Sequence, residues 1–366
     1  MKVWTTPTLD QVTRFSQVPE NAGPAVFVLS GTNGAKYSII GHQLGVLRLV
    51  NIECLRVEAT YRVPLAAPEE YLTSGVFNPN GINFAIGTSH GSLYLGSLRD
   101  DAQSKPKFML ARLEPNGGLP AAITSLEFSA FDTIGSFLVA MDNGMVKTWQ
   151  TSVRNEQFLK LLEIQQQREG RRGADSDFDL SEVGYQQFDL VDSFDMFSNP
   201  HGLDEVSQEE RSQLRVLYGN KRYMQCGAHF SPSKSSVDLY FSFVSALQYI
   251  YVRNYIQNSI VKRVSLMHFP TCFAVVDFNE LYTAIDRDDE TPRSLGGEQV
   301  LALVGTKEGK VLTYNVASSG STKLAETRGG LSYGAISALD VSATLDRLVA
   351  ATESGELFTA EIVPHI

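Results

Sequence analysis

The feature that most constrains the fold of this chain is a strand–turn–strand pattern that recurs along it. Each copy has an apolar strand, a polar turn that closes on glycine, and a second apolar strand. The turn glycines are 46 residues apart between Gly45 and Gly91, and again between Gly309 and Gly355. The five copies read SIIGHQLGVLRLVNI, NFAIGTSHGSLYLGSL, SFLVAMDNGMVKTWQTS, LALVGTKEGKVLTYNV and RLVAATESGELFTAEIV.

The pattern within each copy predicts a β-hairpin. Alternating apolar residues on both sides of the turn are typical of half-buried strands, and the closing glycine suits a tight turn with positive φ. A further short strand and turn precede several hairpins, as in TSGVFNPNGINFAIG. A period of about 45 residues with several short strands in each repeat is the signature of a β-propeller. The sequence therefore predicts an all-β fold.

The repeat outline resembles that of WD40-like propellers over most of the chain, although the signature residues differ. The Gly-His pair that opens typical repeats is missing, no repeat ends in Trp-Asp, and Trp149 alone occupies the tryptophan position. The stretch FNPNGINFAIGTSHGSLYLG also resembles WD-repeat proteins of ciliary and flagellar axonemes. These resemblances imply a rigid, non-enzymatic platform for other proteins, located in the cytoplasm and in a microtubule-based cytoskeletal assembly.

The number of blades follows from the gap between the third and fourth glycine turns. After an insertion at residues 153–222, the segment from Tyr223 supplies one more repeat that has lost its turn glycine. We predict six to seven four-stranded blades in one propeller, the first half at residues 1–152 and the second at 223–366. KVWTT, at Lys2–Thr5, is a candidate outer strand that closes the ring against the C-terminal blade.

The insertion differs from the repeats in composition. Apolar residues within Val153–Arg172 fall on one side of a helix, and Ser207 lies three residues before Glu210, which is a capping-box spacing. The chain between these segments is rich in aspartate and serine, which predicts flexible chain. From Asp175 to Glu210 it carries a charge of −11, while the whole chain carries −10. We therefore predict an acidic insertion with short helices.

Three short motifs in the insertion place large apolar side chains on both sides of an aspartate. They read Phe-Asp-Leu twice and Phe-Asp-Met once. Such motifs suit docking into a basic-rimmed groove of a partner protein. The alternative is that the side chains fold back on the propeller and anchor a long loop. The candidate partner-binding residues are Phe178, Leu180, Phe188, Leu190, Phe194 and Met196.

One turn matches a catalytic motif. GTSHG, at Gly87–Gly91, has the G-x-S-x-G form of the nucleophile elbow of serine hydrolases. That elbow requires a turn from a strand into a helix, whereas SLYLGSL after it predicts a second strand. The equivalent turns of the other repeats do not share this serine. We therefore predict that Ser89 is a turn residue and that the chain has no catalytic residues.

The sequence also lacks the motifs of metal, phosphate and nucleic-acid binding. The histidines show no H-x-H or H-E-x-x-H spacing, so no metal site is predicted, and SGTNGAK from Ser30 lacks the phosphate-binding pattern of a P-loop. Basic residues form no stripe that would bind nucleic acid, and no apolar run approaches the roughly 18 residues that cross a bilayer. The cysteines, Cys54, Cys226 and Cys272, lack metal or disulfide spacing and are predicted to be reduced and buried.

Two further hypotheses remain beside the scaffold. The first is a propeller enzyme or small-ligand binder, in which hydroxyls at the starts of inner strands converge with carboxylates or histidines in the central channel. The second is a receptor that reads a short peptide at the same channel. The hydroxyl side chains in question belong to Ser74, Thr124, Ser125 and Ser337. No cofactor is predicted, and the predicted partners are other proteins of a multi-subunit assembly.

Overall fold

The computed structural model describes most of the repeats and parts of the segments between them. The described residues are 2–4, 11–14, 21–30, 36–78, 83–99, 107–113, 118–129, 136–151, 188–198, 225–277, 300–316, 323–326, 334–342, 345 and 347–361. All regular elements in these ranges are β-strands, and no helix in them is long and apolar enough to span a bilayer. The chain divides into two compact units, Met1–Ser193 and Phe194–Ile366.

The first unit begins with a two-stranded sheet and continues with three four-stranded antiparallel sheets, which we call the first, second and third blades. The last strand of the third blade runs across the boundary between the units. The strands are β1 (Lys2–Trp4) and β2 (Gln11–Arg14), then β3 (Ala25–Ser30), β4 (Tyr37–His42), β5 (Val46–Asn51) and β6 (Arg56–Arg62), then β7 (Leu72–Phe77), β8 (Asn83–Thr88), β9 (Leu93–Arg99) and β10 (Lys107–Leu113), then β11 (Ile123–Phe128), β12 (Phe137–Met141), β13 (Met145–Thr151) and β14 (Phe188–Asp195).

The second unit contains the fourth, fifth and sixth blades. The fourth and fifth have four strands each, and the sixth has three among the described residues. The strands are β15 (Cys226–Phe230), β16 (Leu239–Val244), β17 (Tyr249–Asn254) and β18 (Ser259–Ser265), then β19 (Pro270–Asp277), β20 (Val300–Thr306), β21 (Val311–Asn315) and β22 (Lys323–Glu326), then β23 (Ile336–Val341), β24 (Arg347–Thr352) and β25 (Leu357–Glu361).

One hydrogen bond recurs in all six blades and shows that they are equivalent. In each blade, the residue after the second strand donates its N–H to the carbonyl of the residue before the first strand, at 2.8–3.3 Å. The fourth blade, which lacks the turn glycine, has it too. The six bonds run from Gln43 to Pro24, Ser89 to Tyr71, Asp142 to Ala122, Ser245 to Gln225, Lys307 to Phe269 and Glu353 to Ala335.

The predicted hairpin turns are confirmed. All five closing glycines have positive φ, between 75° and 86°. In three of these turns, the threonine that ends the second strand accepts a hydrogen bond on Oγ1 from the N–H four residues later. The turn is therefore fixed at both ends, by a glycine that tolerates positive φ and by a side chain that satisfies a main-chain donor. The threonines are Thr88, Thr306 and Thr352.

Neighbouring blades within each unit pack face to face on apolar clusters. The first and second blades share one cluster and the second and third share another. In the latter, Trp149 is fully buried and its ring stacks on that of Phe137, with 5.4 Å between centroids. The second unit has two corresponding clusters. Strands β4, β5 and β8 are buried at every position, so the expectation of half-buried strands is wrong for them.

Two predictions about the ends of the repeats need correction or limitation. β1 pairs antiparallel with β2 in a sheet of its own, so the prediction that Lys2–Thr5 joins the C-terminal blade is wrong. Of the six to seven blades predicted, the described residues form six. The two helices predicted in the insertion lie outside the described residues. Within the insertion, Phe188–Asp195 forms β14 of the third blade, so the prediction of flexible chain is wrong for these residues.

Candidate functional site

A cleft of about 820 Å³ lies in the first unit, beside the loop that joins the first blade to the second. We call it the rim cleft. It is bounded by the turn between β4 and β5 and by the loop between β6 and β7, and most of its lining is apolar. The lining residues are Asn21, Leu44, Arg62, Val63, Pro64, Leu65, Ala66, Ala67, Pro68 and Glu70.

The sequence of the loop explains why it leaves the sheet. Pro64 and Pro68 have no N–H to donate to a neighbouring strand, so the pairing of β6 cannot continue through them. The loop instead bonds to itself and to the adjacent turn. Val63 N–H donates to the Gly45 carbonyl at 2.7 Å, and Glu70 N–H donates to the Ala67 carbonyl at 3.1 Å. The loop is therefore a defined structure at the end of the blade.

The buried carboxylate of Glu70 holds the loop in place. Its Oε2 accepts a hydrogen bond from Ala66 N–H at 2.7 Å, and its Oε1 accepts one from the Thr88 hydroxyl at 2.5 Å. Burial acts to raise the pKa of Glu70. The hydrogen bonds from Ser92, Thr88 and Ala66, together with the charge of Arg112, outweigh burial and hold this pKa below its usual value. Glu70 is therefore ionised at neutral pH and joins the loop to the turn of the second blade.

A tyrosine hydroxyl fixes the same loop from the second blade. Tyr94, on β9, donates its O–H to the Pro64 carbonyl at 2.6 Å. Burial raises the pKa of Tyr94 to about 12, so the hydroxyl keeps its proton at neutral pH. The second unit has comparable bonds, in which the Tyr314 hydroxyl accepts from Met267 N–H and the Tyr251 hydroxyl donates to the Met196 carbonyl. In these three cases, the segment that leads from one blade to the next is anchored by a tyrosine of the following blade.

Large apolar side chains are exposed beside this anchored loop. Leu44, at the tip of the β4–β5 turn, is 44% exposed, and Tyr71, directly before β7, is 40% exposed. Arg62 is also exposed, and its guanidinium has no hydrogen-bond or ion-pair partner among the described residues. Exposed apolar residues around a concave surface are typical of a protein or peptide docking site.

Ser89 lies at the edge of this region and is a turn residue, as predicted. Its Oγ accepts a hydrogen bond from Tyr71 N–H at 3.1 Å, and its own N–H donates to the Tyr71 carbonyl at 2.9 Å. The chain continues from the turn into strand β9, not into the helix of a nucleophile elbow. Ser89 therefore connects the β8–β9 turn to the start of its own blade.

The candidate partner-binding residues of the insertion fall into three groups. Phe178 and Leu180 lie outside the described residues. Phe188 and Leu190 lie on strand β14, where Leu190 is 38% exposed. Phe194 and Met196 are buried. Docking on a partner stays a prediction for this segment.

The two buried members of the segment make defined contacts within the second unit. The Phe194 ring meets that of Tyr251 edge to face at 5.3 Å, and the Arg253 guanidinium lies 4.6 Å from the Phe194 ring centroid. The Met196 carbonyl accepts the hydrogen bond from Tyr251 at 3.1 Å. For these two residues the contacts are those that the self-packing alternative describes.

The inner-strand hydroxyls of the enzyme hypothesis donate to main-chain carbonyls. The acceptors are Ile123 for Ser74, Ala140 for Thr124 and Ala351 for Ser337, at 3.1–3.3 Å. Ser125 is half-buried. Within the described ranges, no three His, Cys, Asp or Glu side chains are grouped to hold a metal ion. Three of these hydroxyls therefore have main-chain acceptors, and a site in the central channel stays a hypothesis.

The cysteines are free thiols, and one prediction about them is wrong. Cys226 is buried, Cys272 is largely buried, but Cys54 is exposed. Cys54 lies in the turn between β5 and β6, which the sequence pattern did not distinguish from a strand. Burial raises the pKa of Cys272 to about 12, so this thiol is protonated and unreactive at neutral pH.

Sequence reasoning missed Glu70, because an acidic pair such as Glu69-Glu70 in a proline-containing loop has the pattern of solvated charge. Its partner Thr88 is 18 residues away, at the end of strand β8. The recurrent threonine of the hairpin turns was visible in the sequence. Glu70 bonds to only one of these threonines, Thr88, so no recurring pattern pointed to it.

Comparisons with known proteins agree with this architecture. No protein-family model matches the sequence, and no curated protein matches it. Many solved chains, 1411 in number, are similar in fold. One of them is a chain in a structure titled "Crystal Structure of Mitotic Checkpoint Complex", with a TM-score of 0.59 and 10% sequence identity. The match covers 99% of this chain and 81% of that one. At this identity the similarity shows the fold alone, which is a six-bladed β-propeller.

Proposed function

We propose that this chain is a non-enzymatic scaffold subunit of a multi-protein assembly and that it binds a partner protein at the rim cleft. The observation that carries this proposal is an apolar cleft, flanked by the exposed Leu44 and Tyr71, on a loop that Glu70 and Tyr94 hold in place. The similar fold of a chain from a multi-protein complex supports the same function.

The anchoring of the loop is what makes this surface suitable for binding. A loop that is ordered before the partner arrives loses less conformational entropy on association, so more of the contact energy appears as affinity. Tyrosine is also enriched among the residues that contribute most to interface energies. Tyr71 combines exposure with a fixed backbone, because both its N–H and its carbonyl are bonded to Ser89.

Two finer parts of the proposal rest on the sequence. The acidic insertion, through Phe178, Leu180, Phe188 and Leu190, is a tether to a partner, with Phe194 and Met196 as its anchor on the fold. Substitution of Phe178 and Leu180 by alanine tests the tether, since loss of partners without loss of stability would support it.

A ciliary or flagellar cytoskeletal context rests on the resemblance of the repeats. Its test is the location of the tagged protein in ciliated cells.

The main test compares the effect of a charge placed at the rim cleft with the effect of a charge placed away from it. Leu44→Asp combined with Tyr71→Asp places charge at the rim cleft, whereas Ile52→Asp places charge on an apolar residue of similar exposure at the other end of β5. Each tagged variant is purified from its native cells, and the co-purifying proteins are quantified. We expect the double variant to lose partners that wild type and Ile52→Asp retain. Equal partner sets for all three proteins would refute docking at the rim cleft.

A further inference from the structure

We infer that the rim cleft recognises a short peptide segment of a partner in which an aliphatic or aromatic side chain lies next to a carboxylate. This inference rests on the proposed function, since it names the chemistry of the ligand at the same site. It follows from the apolar lining, from the main-chain groups of the loop that already have hydrogen-bond partners, and from Arg62, the exposed charged side chain of the described lining.

The lining sets the first requirement, which is an apolar side chain. Leu44, Val63, Leu65 and the two prolines provide hydrocarbon surface on the turn and on the loop. Leu65 also packs under the turn, because a side chain at Gly45 would meet its Cδ1 at 3.0 Å. An apolar group that enters the cleft removes its own surface and that of the lining from water, which is the main driving force for such binding.

The main chain of the loop excludes recognition as an added β-strand. Strand addition needs a row of free N–H and C=O groups on the edge that receives the peptide. Here Ala66 N–H bonds to Glu70, the Pro64 carbonyl accepts from Tyr94, and Pro68 has no N–H. Specificity must therefore come from the side chains of the lining.

The charged lining residues favour an acidic ligand. Glu70 is 1% exposed and its carboxylate oxygens bond to Ala66 and Thr88, so burial keeps this carboxylate from direct contact with a ligand. Arg62 is exposed and has no partner among the described residues. A guanidinium binds carboxylate with paired, charge-assisted hydrogen bonds. One arginine does not provide the several phosphate contacts on which nucleic-acid binding depends.

The test uses a fluorescein-labelled peptide, GSDFDLDSG, and two relatives in which every aspartate is replaced by asparagine or by lysine. Anisotropy with the full-length chain should show binding of the aspartate peptide, and binding about tenfold or more weaker for the asparagine peptide. The Arg62→Gln substitution should weaken binding of the aspartate peptide by a similar factor. Arg62→Glu should bind the lysine peptide better than the aspartate peptide. Ile52→Ala should leave all three affinities unchanged.

Several outcomes would overturn the inference. These are no binding of the aspartate peptide at 1 mM, equal affinity for the aspartate and asparagine peptides, or unchanged affinity in Arg62→Gln with an unchanged melting temperature. If the peptides fail while Leu44→Asp with Tyr71→Asp still removes native partners, the docking site is correct and the ligand class is wrong. If neither the peptides nor the partner set respond, both the proposed function and this inference fail.

Discussion

The Thr88 hydroxyl donates a hydrogen bond of 2.5 Å to the Glu70 carboxylate and connects the end of β8 to the loop before β7. Thr88 has a second function, since its Oγ1 accepts the N–H of Ser92 within the hairpin turn. One side chain thus closes a turn and anchors the loop that borders the rim cleft. The conformation of the cleft depends on this pair.

Replacement of Glu70 by glutamine should destabilise the first unit by about 1.5–3 kcal/mol, the usual value of hydrogen bonds to a buried charge. Glu69→Gln is the matched control, because Glu69 is the exposed neighbour in the same loop. Urea denaturation of both variants measures the difference. Equal stability of the two variants would contradict the anchoring function of Glu70.

The pH dependence of Glu70→Gln gives a second measurement. The folded protein holds the pKa of Glu70 below its usual value of 4.5, so the carboxylate stabilises the fold fully above pH 4.5. This contribution is lost as the pH falls through the lowered pKa. We expect wild type to lose more stability than Glu70→Gln on going from pH 6 to pH 3.

Two turn glycines separate the cost of positive φ from the cost of crowding. Gly91 has φ of 78°, and a Cβ there would lie 2.1 Å from the Leu119 carbonyl oxygen. Gly355 has φ of 86° with no atom within 4 Å of that position. Gly355→Ala should cost about 1–2 kcal/mol, from the left-handed backbone alone. Gly91→Ala should cost about 1–3 kcal/mol more, because the Leu119 main chain must move. Thermal unfolding measures both, and similar losses would mean that the Leu119 contact does not limit the turn.

Phe194 and Leu190 lie on the same strand and should respond differently to truncation. Phe194 is 4% exposed and packs on Tyr251, so Phe194→Ala should cost about 3–5 kcal/mol. Leu190→Ala removes an exposed side chain and should change stability by less than about 0.5 kcal/mol. Guanidinium denaturation of the two variants measures these values. A small effect of Phe194→Ala would instead favour a docking function for this residue.

His42 should make the first unit sensitive to mild acid. Burial lowers the pKa of His42, and the charge of Arg48 lowers it further against the opposing hydrogen bond to the Gly23 carbonyl. The unfolded chain takes up the proton at about pH 6.5, before the folded chain does. The stabilising contribution of neutral His42 is therefore fully present above pH 6.5 and decreases as the pH falls below this value.

The measurement is denaturation at pH 7.5, 6.5 and 5.5 for His42→Gln and for His90→Gln, whose histidine is exposed. We expect the loss below pH 6.5 to persist in His90→Gln and to diminish in His42→Gln. A loss of the same size in both variants would assign this pH dependence to other groups.

Much of the architecture could be predicted because it depends on local rules. Strand alternation and the closing glycines are properties of short segments, so the hairpins and the six repeats follow from reading along the chain. Ser89 could be recognised as a turn residue for the same reason. The β14 strand could not, because its acidic residues are typical of a solvated segment and only the unpaired edge of β13 gives it a partner.

The sequence by itself determined that this chain folds as repeated antiparallel sheets, since the period of its apolar residues and its turn glycines allow little else. The tertiary structure decided which polar side chains are buried and what they anchor. Glu70 meets Thr88 only after strands β7 and β8 have paired, and Tyr94 meets Pro64 only after the first and second blades have packed together. Such contacts join residues that are distant along the chain, and no local pattern encodes a pairing that packing creates.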